Sequence, residues 1–279
     1  MCTVSSLRVR GKGAAGLGPF TRREELGRRA EAGTTLCDMK TETVAARGSG
    51  AVRRVLEAEL KAARARGAEH PRVVDVGGGS GGWAVPFAAA GCRVTVVEPS
   101  PNALATLQRR AEEEGVSELI TVVADDSDAL GRHVEAGSAD LVLAHGLLEI
   151  VDDPAAVLAA LATAVAPGGA VSVLVANRHA AAFHRALAGR VGEARQLLES
   201  ADGVVAGDTV LRRFSAAGLR AGLEAAGLEV TLLQGDRVIS DLVTGDVRDD
   251  ELAEFERVAA GTPALRDIAG RLHAVARPA

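Results

Sequence analysis

Residues 74–82, VDVGGGSGG, constrain the fold of this 279-residue chain more than any other stretch. An apolar run, RVVDV at 72–76, leads straight into glycines at 77, 78, 79, 81 and 82, and a new apolar segment starts at Trp83. Glycine adopts backbone conformations closed to other residues and lets the chain approach a ligand with no Cβ between them. A buried strand feeding such a loop, followed by a helix, is the entry of a βαβ unit. The spacing fits two templates at once. Gly77, Gly79 and Gly82 satisfy G-x-G-x-x-G, while Asp75, Gly77, Gly79 and Gly81 satisfy D-x-G-x-G-x-G.

The first template is the dinucleotide fingerprint, whose glycines seat a pyrophosphate at a helix N-terminus. The second is the loop that S-adenosyl-L-methionine (SAM) methyltransferases place beside the methionine part and the ribose. Asp75 separates the two, since a carboxylate two residues before the first glycine is typical of the SAM loop. GKGAAG at 11–16 also matches G-x-G-x-x-G. No strand precedes it and no amphipathic helix follows, so it lacks the context that gives the motif meaning.

The rest of the chain repeats the unit. Val52, Val55, Leu56 and Leu60 have helical spacing and predict an amphipathic helix ahead of the first strand. RVTVVE, LITVVA, ADLVLA and AVSVLVA read as further strands. Ser100-Pro101 supplies an N-cap and a first-turn proline for one intervening helix, and Asp153-Pro154 starts another. Short apolar strands alternating with helices predict an α/β fold, a doubly wound and mostly parallel sheet covered on both faces. A partly helical segment then runs to about residue 213, followed by a helix at 215–227. LEVTLLQGDRVISDL reads as strand-like with a central Gly-Asp break, a last helix lies near 249–260, and GRLHAVARP holds a short final strand. A sheet ending in an antiparallel strand pair suits a methyltransferase, whereas dinucleotide dehydrogenases usually continue into a separate catalytic domain.

Residues 1–45 mix Gly, Arg, Thr and Glu without apolar period and are expected to form a disordered or weakly ordered extension, with the folded domain spanning 46–279. Met39 is an alternative to Met1 as the start of translation. No apolar run of about 18 residues is present to span a membrane, and the first residues lack the apolar stretch of a signal peptide. Cys2, Cys37 and Cys92 are odd in number and scattered, which fits a reducing cytoplasm better than a disulfide framework or a zinc site. The formal charge of −5 gives no global nucleic-acid footprint, although a local basic patch stays open. The sequence does not speak to oligomeric state.

Position along the strands singles out individual side chains. Glu98 ends strand two, where a carboxylate can accept hydrogen bonds from ribose hydroxyls in either cofactor class. Asp125, Asp126 and Asp128 crowd the end of strand three, and any of them could accept from an adenine amino group. His145 follows strand four, and carboxyl ends of parallel strands line the ligand crevice. His70 and His133 read as surface loop residues. The chain has no tyrosine and no second domain to supply hydride-transfer chemistry. A non-catalytic SAM-binding module is the remaining alternative to an enzyme.

From about Gly50 onward the chain carries a more specific pattern. HGLLEIVDDPAAVLAALATAVAPGGAVSVLVANRHAAAFHRALAG, with Asn177, His179 and His184 as N-x-H-x4-H, then GDRVISDL and RLHAVARP, closely resembles the tRNA 5-carboxymethoxyuridine methyltransferase family. The resemblance implies SAM as cofactor and no metal. It places Arg53 of GAVR on the methionine carboxylate, which a guanidinium can hold bidentately. It places Gly77, Gly78 and Gly79 in the loop contacts, Glu98 on the ribose, Ser127 and Asp128 beside the adenine, and His145 at SAM. The implied reaction makes a methyl ester on the carboxylate of a modified wobble uridine in tRNA. A carboxylate with pKa near ~4 is ionised at neutral pH, so no general base and no catalytic side chain is assigned. The acceptor must still be held in line with the methyl group, and Arg237 in GDRV is the candidate substrate-binding residue. Two departures bear on the acceptor. Ile150 stands where the family has an aromatic, and ESADGVVAGDTVLRRF replaces a lysine-rich insert, leaving Arg212 and Arg213 as its basic residues. With few aromatics to stack on an anticodon base, O-methylation of a small metabolite stays open as the alternative.

Overall fold

The computed structural model describes residues 50–243 and 245–279. The expected extension at 1–45, the GKGAAG loop and Met39 lie outside the described residues. Seven strands form one sheet in the order β3-β2-β1-β4-β5-β7-β6. β1 (Arg72–Val76), β2 (Arg93–Val97), β3 (Ile120–Val123), β4 (Ala139–His145) and β5 (Val165–Ala176) run parallel. β6 (Leu228–Asp236) and β7 (Arg271–Pro278) are antiparallel additions, and β7 lies between β5 and β6. The expected sheet is present, and its final strand is flanked on both sides.

The helices are α1 (Gly50–Ala65), α2 (Ala84–Ala89), α3 (Pro101–Glu113), α4 (Leu130–His133), α5 (Pro154–Ala164), α6 (Arg178–Leu187), α7 (Val191–Glu199), α8 (Ala216–Ala225), α9 (Asp249–Ala259) and α10 (Pro263–Arg266). Val52, Leu56 and Leu60 of α1 pack with Trp83, Phe87, Leu107, Leu143 and Leu174 on one face of the sheet. Leu158 and Leu161 of α5 and Leu219 and Leu223 of α8 cover the other face with Val142 and Val173. Inner strands buried from both sides explain their unbroken Val/Leu runs. The predicted Ser100 cap forms, its Oγ accepting from Ala103 N at 3.4 Å, and Asp153 Oδ1 caps its helix too, accepting from the amides of Ala155 and Ala156 at 2.9 and 3.0 Å. Each such cap stabilises its helix by ~1 kcal/mol.

One expectation needs correction. LEVTLLQGDRVISDL is strand only as far as Asp236, because Arg237 takes a left-handed φ of 60° and the chain leaves the sheet. Beyond it the amides of Val238, Ile239 and Ser240 donate to the buried carboxylate of Glu256 on α9, at 2.8–2.9 Å. Those amides would have continued a ladder; the carboxylate takes them instead, and a turn results.

Candidate active site

The strand order reverses between β1 and β4, and in open α/β sheets the ligand crevice lies at that point, outside the carboxyl ends. A cavity of about 480 Å³ opens there, lined by Gly77, Glu98, Ser127, Asp128, Leu147 and Ile150 among others. Its size falls within the roughly 300–1,000 Å³ of small-molecule sites. Gly77 has φ 69° and donates its N–H to Val97 O at 2.8 Å. A Cβ on Gly77 would lie 3.0 Å from Leu147 Cδ1, so only glycine lets the loop turn against this wall. Glu98 ties the loop to β2: Oε2 accepts from Gly79 N at 3.0 Å and Oε1 from Ser100 N at 2.9 Å. A carboxylate has about four acceptor positions, so capacity remains for a ligand's hydroxyls.

Asp75 lies beneath the loop, 2% exposed, and a Cβ on Gly78 would come 2.8 Å from its Oδ2. That oxygen is buried without a hydrogen-bond partner. Burial, reinforced by the charge of Glu98, pushes its pKa up to about 7. An orphaned acceptor under a glycine loop is the complement of a ligand that brings a donor.

Charge decides which cofactor fits. Glu98, Asp126, Asp128, Asp152 and Asp153 line the cavity, and among the described residues no Lys or Arg does. A pyrophosphate would meet five like charges, whereas SAM brings a neutral adenosine and a net positive charge, its sulfonium and ammonium outweighing one carboxylate. The residues present therefore fit SAM and oppose a dinucleotide. Within the acidic trio, Asp125 is occupied elsewhere: His133 Nε2 lies 2.8 Å away, and that hydrogen bond holds its carboxyl below the usual range. Asp126, Ser127 and Asp128 remain on the cavity wall. Asp152 and Asp153 were missed as lining residues, because the sequence presents Asp153 only as a helix start.

Two sequence candidates are not on this wall, although His145 directly precedes Gly146, which is. His145 ends β4 with its ring edge-on to Trp83, centroids 5.8 Å apart, and its Nε2 is 2.9 Å from Ser172 Oγ. Burial, then the neighbouring His273 and Arg271, holds its pKa well below the ordinary imidazole value, so the ring is neutral at physiological pH. Its Nδ1 and the Nε1 of Trp83 are both buried without hydrogen-bond partners. Arg53 is not among the lining residues; its side chain, 70% exposed on α1, pairs with Glu57 at 3.6 Å. Ile150, at the family's aromatic position, is 56% exposed and lines the cavity.

A second cavity, about 390 Å³, lies where β5 ends and β7 begins, lined by Asn177, His184, Arg213, Arg237, Asp241 and Arg271 among others. Ala176 pairs with Arg271, and Arg271 with Asp236, so this cavity shares the sheet edge on which β1 and β4 end. Arg237 pairs with Asp241, and its Nε is buried without a partner. Arg271 pairs with Asp236 at 2.8 Å. Arg213 reaches Asp208 at 2.6 Å, and that hydrogen bond holds the Asp208 carboxyl at about 2. His184 Nε2 is buried and unpartnered. Asn177 has a structural task, since Oδ1 caps α6 at His179 N and Nδ2 donates to the carbonyls of Asp267 and Ala269. Arg212 donates to the carbonyls of Leu148, Val151 and Asp152, so both arginines of the insert bind their own chain. Among the described residues, no group of three or more His, Cys, Asp or Glu could hold a metal ion, and no helix is long and apolar enough to cross a membrane.

Comparison with known proteins bears on this geometry. The family described as "Methyltransferase domain" matches residues 49–233. The tRNA 5-carboxymethoxyuridine methyltransferase of Escherichia coli (strain K12) is 33% identical over 123 residues, 44% of this chain and 47% of that protein. The ubiquinone biosynthesis O-methyltransferase of Ralstonia nicotianae is 39% identical over 118 residues, 42% of this chain and 48% of that protein. The matched region thus spans about half the length of these curated relatives. A SAM-dependent methyltransferase of Methanosarcina mazei superposes with TM-score 0.53 at 15% identity, covering 75% of this chain and 93% of that one. The cyclase SpnF gives TM-score 0.52 at 20% identity, covering 81% of each chain. Likeness at that level speaks to the fold alone, and a cyclase among the neighbours shows why fold does not fix reaction.

Proposed function

The chain belongs to the methyltransferase domain family, and on that premise we propose that it transfers a methyl group from SAM to the carboxylate of a modified wobble uridine in tRNA, in the cytoplasm. The observation that carries the cofactor half is the cavity wall, where the described residues supply five carboxylates and no basic side chain. SAM, when bound, supplies a methyl group already activated by its sulfonium. Glu98 and Asp128 would accept hydrogen bonds from the ribose and adenine, and Asp75 would accept from the ammonium group. The acceptor half rests on the resemblance to the Escherichia coli enzyme and on Arg237 in the second cavity. An ionised carboxylate needs no base to attack, so the protein's task is orientation. Arg237 can share its fork of five donors between Asp241 and an acceptor carboxylate.

A specific observation favours a second reading, O-methylation of a small metabolite. Arg212 and Arg213, the basic residues of the insert, are engaged by the chain's own carbonyls and Asp208, which leaves them little to offer a phosphate backbone. Mass spectrometry of tRNA nucleosides from cells with and without the gene separates the two. A methyl ester present only with the gene supports the tRNA reading. Identical nucleosides, with methyl label entering a low-molecular-weight fraction, support the second.

A further inference from the structure

The sheet face covered by α1 and α2 carries a row of polar side chains at its carboxyl edge. His145 on β4, Ser172 on β5, His273 on β7 and Gln234 on β6 occupy four strands that are consecutive in the sheet. The register brings them to one face: Ser172 pairs with Leu143, two residues before His145, while His273 pairs with both Leu174 and Gln234. Ser172 and His273 are 0% exposed and Gln234 is 8%. They form one chain of hydrogen bonds: Gln234 Nε2 to His273 Nδ1 at 3.0 Å, His273 Nε2 to Ser172 Oγ at 2.9 Å, and Ser172 Oγ to His145 Nε2 at 2.9 Å.

The direction of this chain follows from donor chemistry. With the Gln234 amide turned so that Nε2 faces the ring, that nitrogen only donates; His273 Nδ1 then accepts, and the neutral ring carries its proton on Nε2. That N–H donates to Ser172 Oγ, whose own hydrogen is left for His145 Nε2. His145 therefore accepts at Nε2, and its single ring proton sits on Nδ1. Burial keeps both rings neutral, His273 at about 4 and His145 well below the ordinary imidazole value, so no second proton blurs the assignment.

We propose that Gln234, His273 and Ser172 are positioning residues that lock His145 as the Nδ1–H tautomer, so that it and Trp83 Nε1–H form a buried donor pair for the carboxylate of the cofactor's amino-acid end. The two unpartnered N–H groups belong to rings in edge contact. The unpartnered oxygen of Asp75 projects from the same face of the neighbouring strand, where Asp75 pairs with Leu143. Two donors and one acceptor complement an α-amino carboxylate. A relay that only satisfied buried polar groups could equally run in the opposite sense and leave Nδ1 bare; the amide sets the sense. The carboxylate assignment rests on the SAM reading above, whereas the tautomer lock does not.

The test uses the full chain with ¹⁵N-labelled histidine and no ligand, His145 being identified by the signals lost in His145→Gln. Long-range ¹⁵N–¹H correlation should show His145 with a protonated Nδ1 and a bare Nε2; a protonated Nε2 overturns the proposal. Ser172→Ala should shift the ring toward Nε2–H and weaken S-adenosylhomocysteine binding about tenfold, and Ser172→Thr, which keeps the hydroxyl, should restore both. A tautomer unmoved in a folded Ser172→Ala protein overturns the relay. A tautomer that moves while affinity holds overturns the donor-pair assignment. Should the parent protein bear the expected tautomer yet bind no S-adenosylhomocysteine, the cofactor reading fails and the relay stands. The parent spectrum decides the tautomer even if a variant does not fold.

Discussion

Asp75 makes a pH-dependent demand that a neutral substitution removes. Its carboxyl is pushed up to about 7 in the folded protein from an ordinary 3.8, first by burial and then by Glu98. At about 1.4 kcal/mol per tenfold change in proton affinity, that gap amounts to about 4 kcal/mol. The sign follows from proton counting. Between pH 4 and 7 the folded state holds a proton that the unfolded chain has lost, so stability falls as pH rises and levels off above about 7. About 3 kcal/mol of the loss falls between pH 5 and 8. Asp75→Asn should abolish this slope. At pH 8 the variant should exceed the parent by about 1–3 kcal/mol, since a buried amide without a partner returns part of the gain. Urea unfolding of both proteins at pH 5 and 8 measures the difference and cancels every other titrating group. Parallel stabilities at the two pH values would refute the reasoning, because Asp75 would then be ionised and paired throughout. The same carboxylate must ionise to meet an ammonium, so S-adenosylhomocysteine should bind the parent more tightly as pH rises toward 7, and Asp75→Asn should lose that dependence.

Glu98→Ala should weaken S-adenosylhomocysteine binding by about 1–3 kcal/mol in calorimetry, because the carboxylate both anchors the Gly79 amide and faces the ligand cavity. Neither parent nor variant should bind NAD measurably. Gly77→Ala should destabilise the fold by about 1–2 kcal/mol in denaturant, from its left-handed φ of 69° alone, and the contact with Leu147 adds to that. Arg237→Ala should abolish transfer to a carboxylate acceptor while leaving cofactor affinity within about twofold, and Arg237→Lys should recover little because a point charge lacks the guanidinium fork. With a carboxylate acceptor, single-turnover rates at saturating cofactor should stay flat from about pH 6 to 8; a steep rise would indicate an acceptor that must first lose a proton.

Much of the scaffold was legible because it is local. Ser100 announces its helix through capping chemistry, Asp153-Pro154 marks the start of another, and Val/Leu runs of strand length mark β1, β2, β4 and β5. Gly77, Glu98 and the acidic trio could be placed at carboxyl ends of strands without knowing what packs against them, whereas Ser127 and the choice of Asp128 came from the resemblance; Gly77, Glu98, Ser127 and Asp128 line the first cavity. Long-range features were hidden. Nothing around RVISDL says that Glu256, on a later helix, will collect its amides and end β6 at Asp236. Ser172, Gln234 and His273 lie on three different strands, and only the register of non-adjacent segments turns them into a connected row. Arg212 and Arg213 read as spare cations in the sequence, yet carbonyls of the segment after β4 and the Asp208 carboxylate claim them. Arg53 was assigned by likeness, and its surroundings on α1 are an exposed ion pair.

The place of β7 in the sheet has a consequence for how the protein is made. β7 is the last strand of the described residues to leave the ribosome, yet it contributes both ladders that join β6 to the body of the fold. Until it arrives, β5 presents an uncapped edge bearing Val171, Val173 and Val175, and β6 has no neighbour at all. Such an edge is a template for pairing with other chains. The nascent protein therefore passes through an interval in which the backbone groups along the β5 edge stay unpaired, until synthesis of β7 closes it.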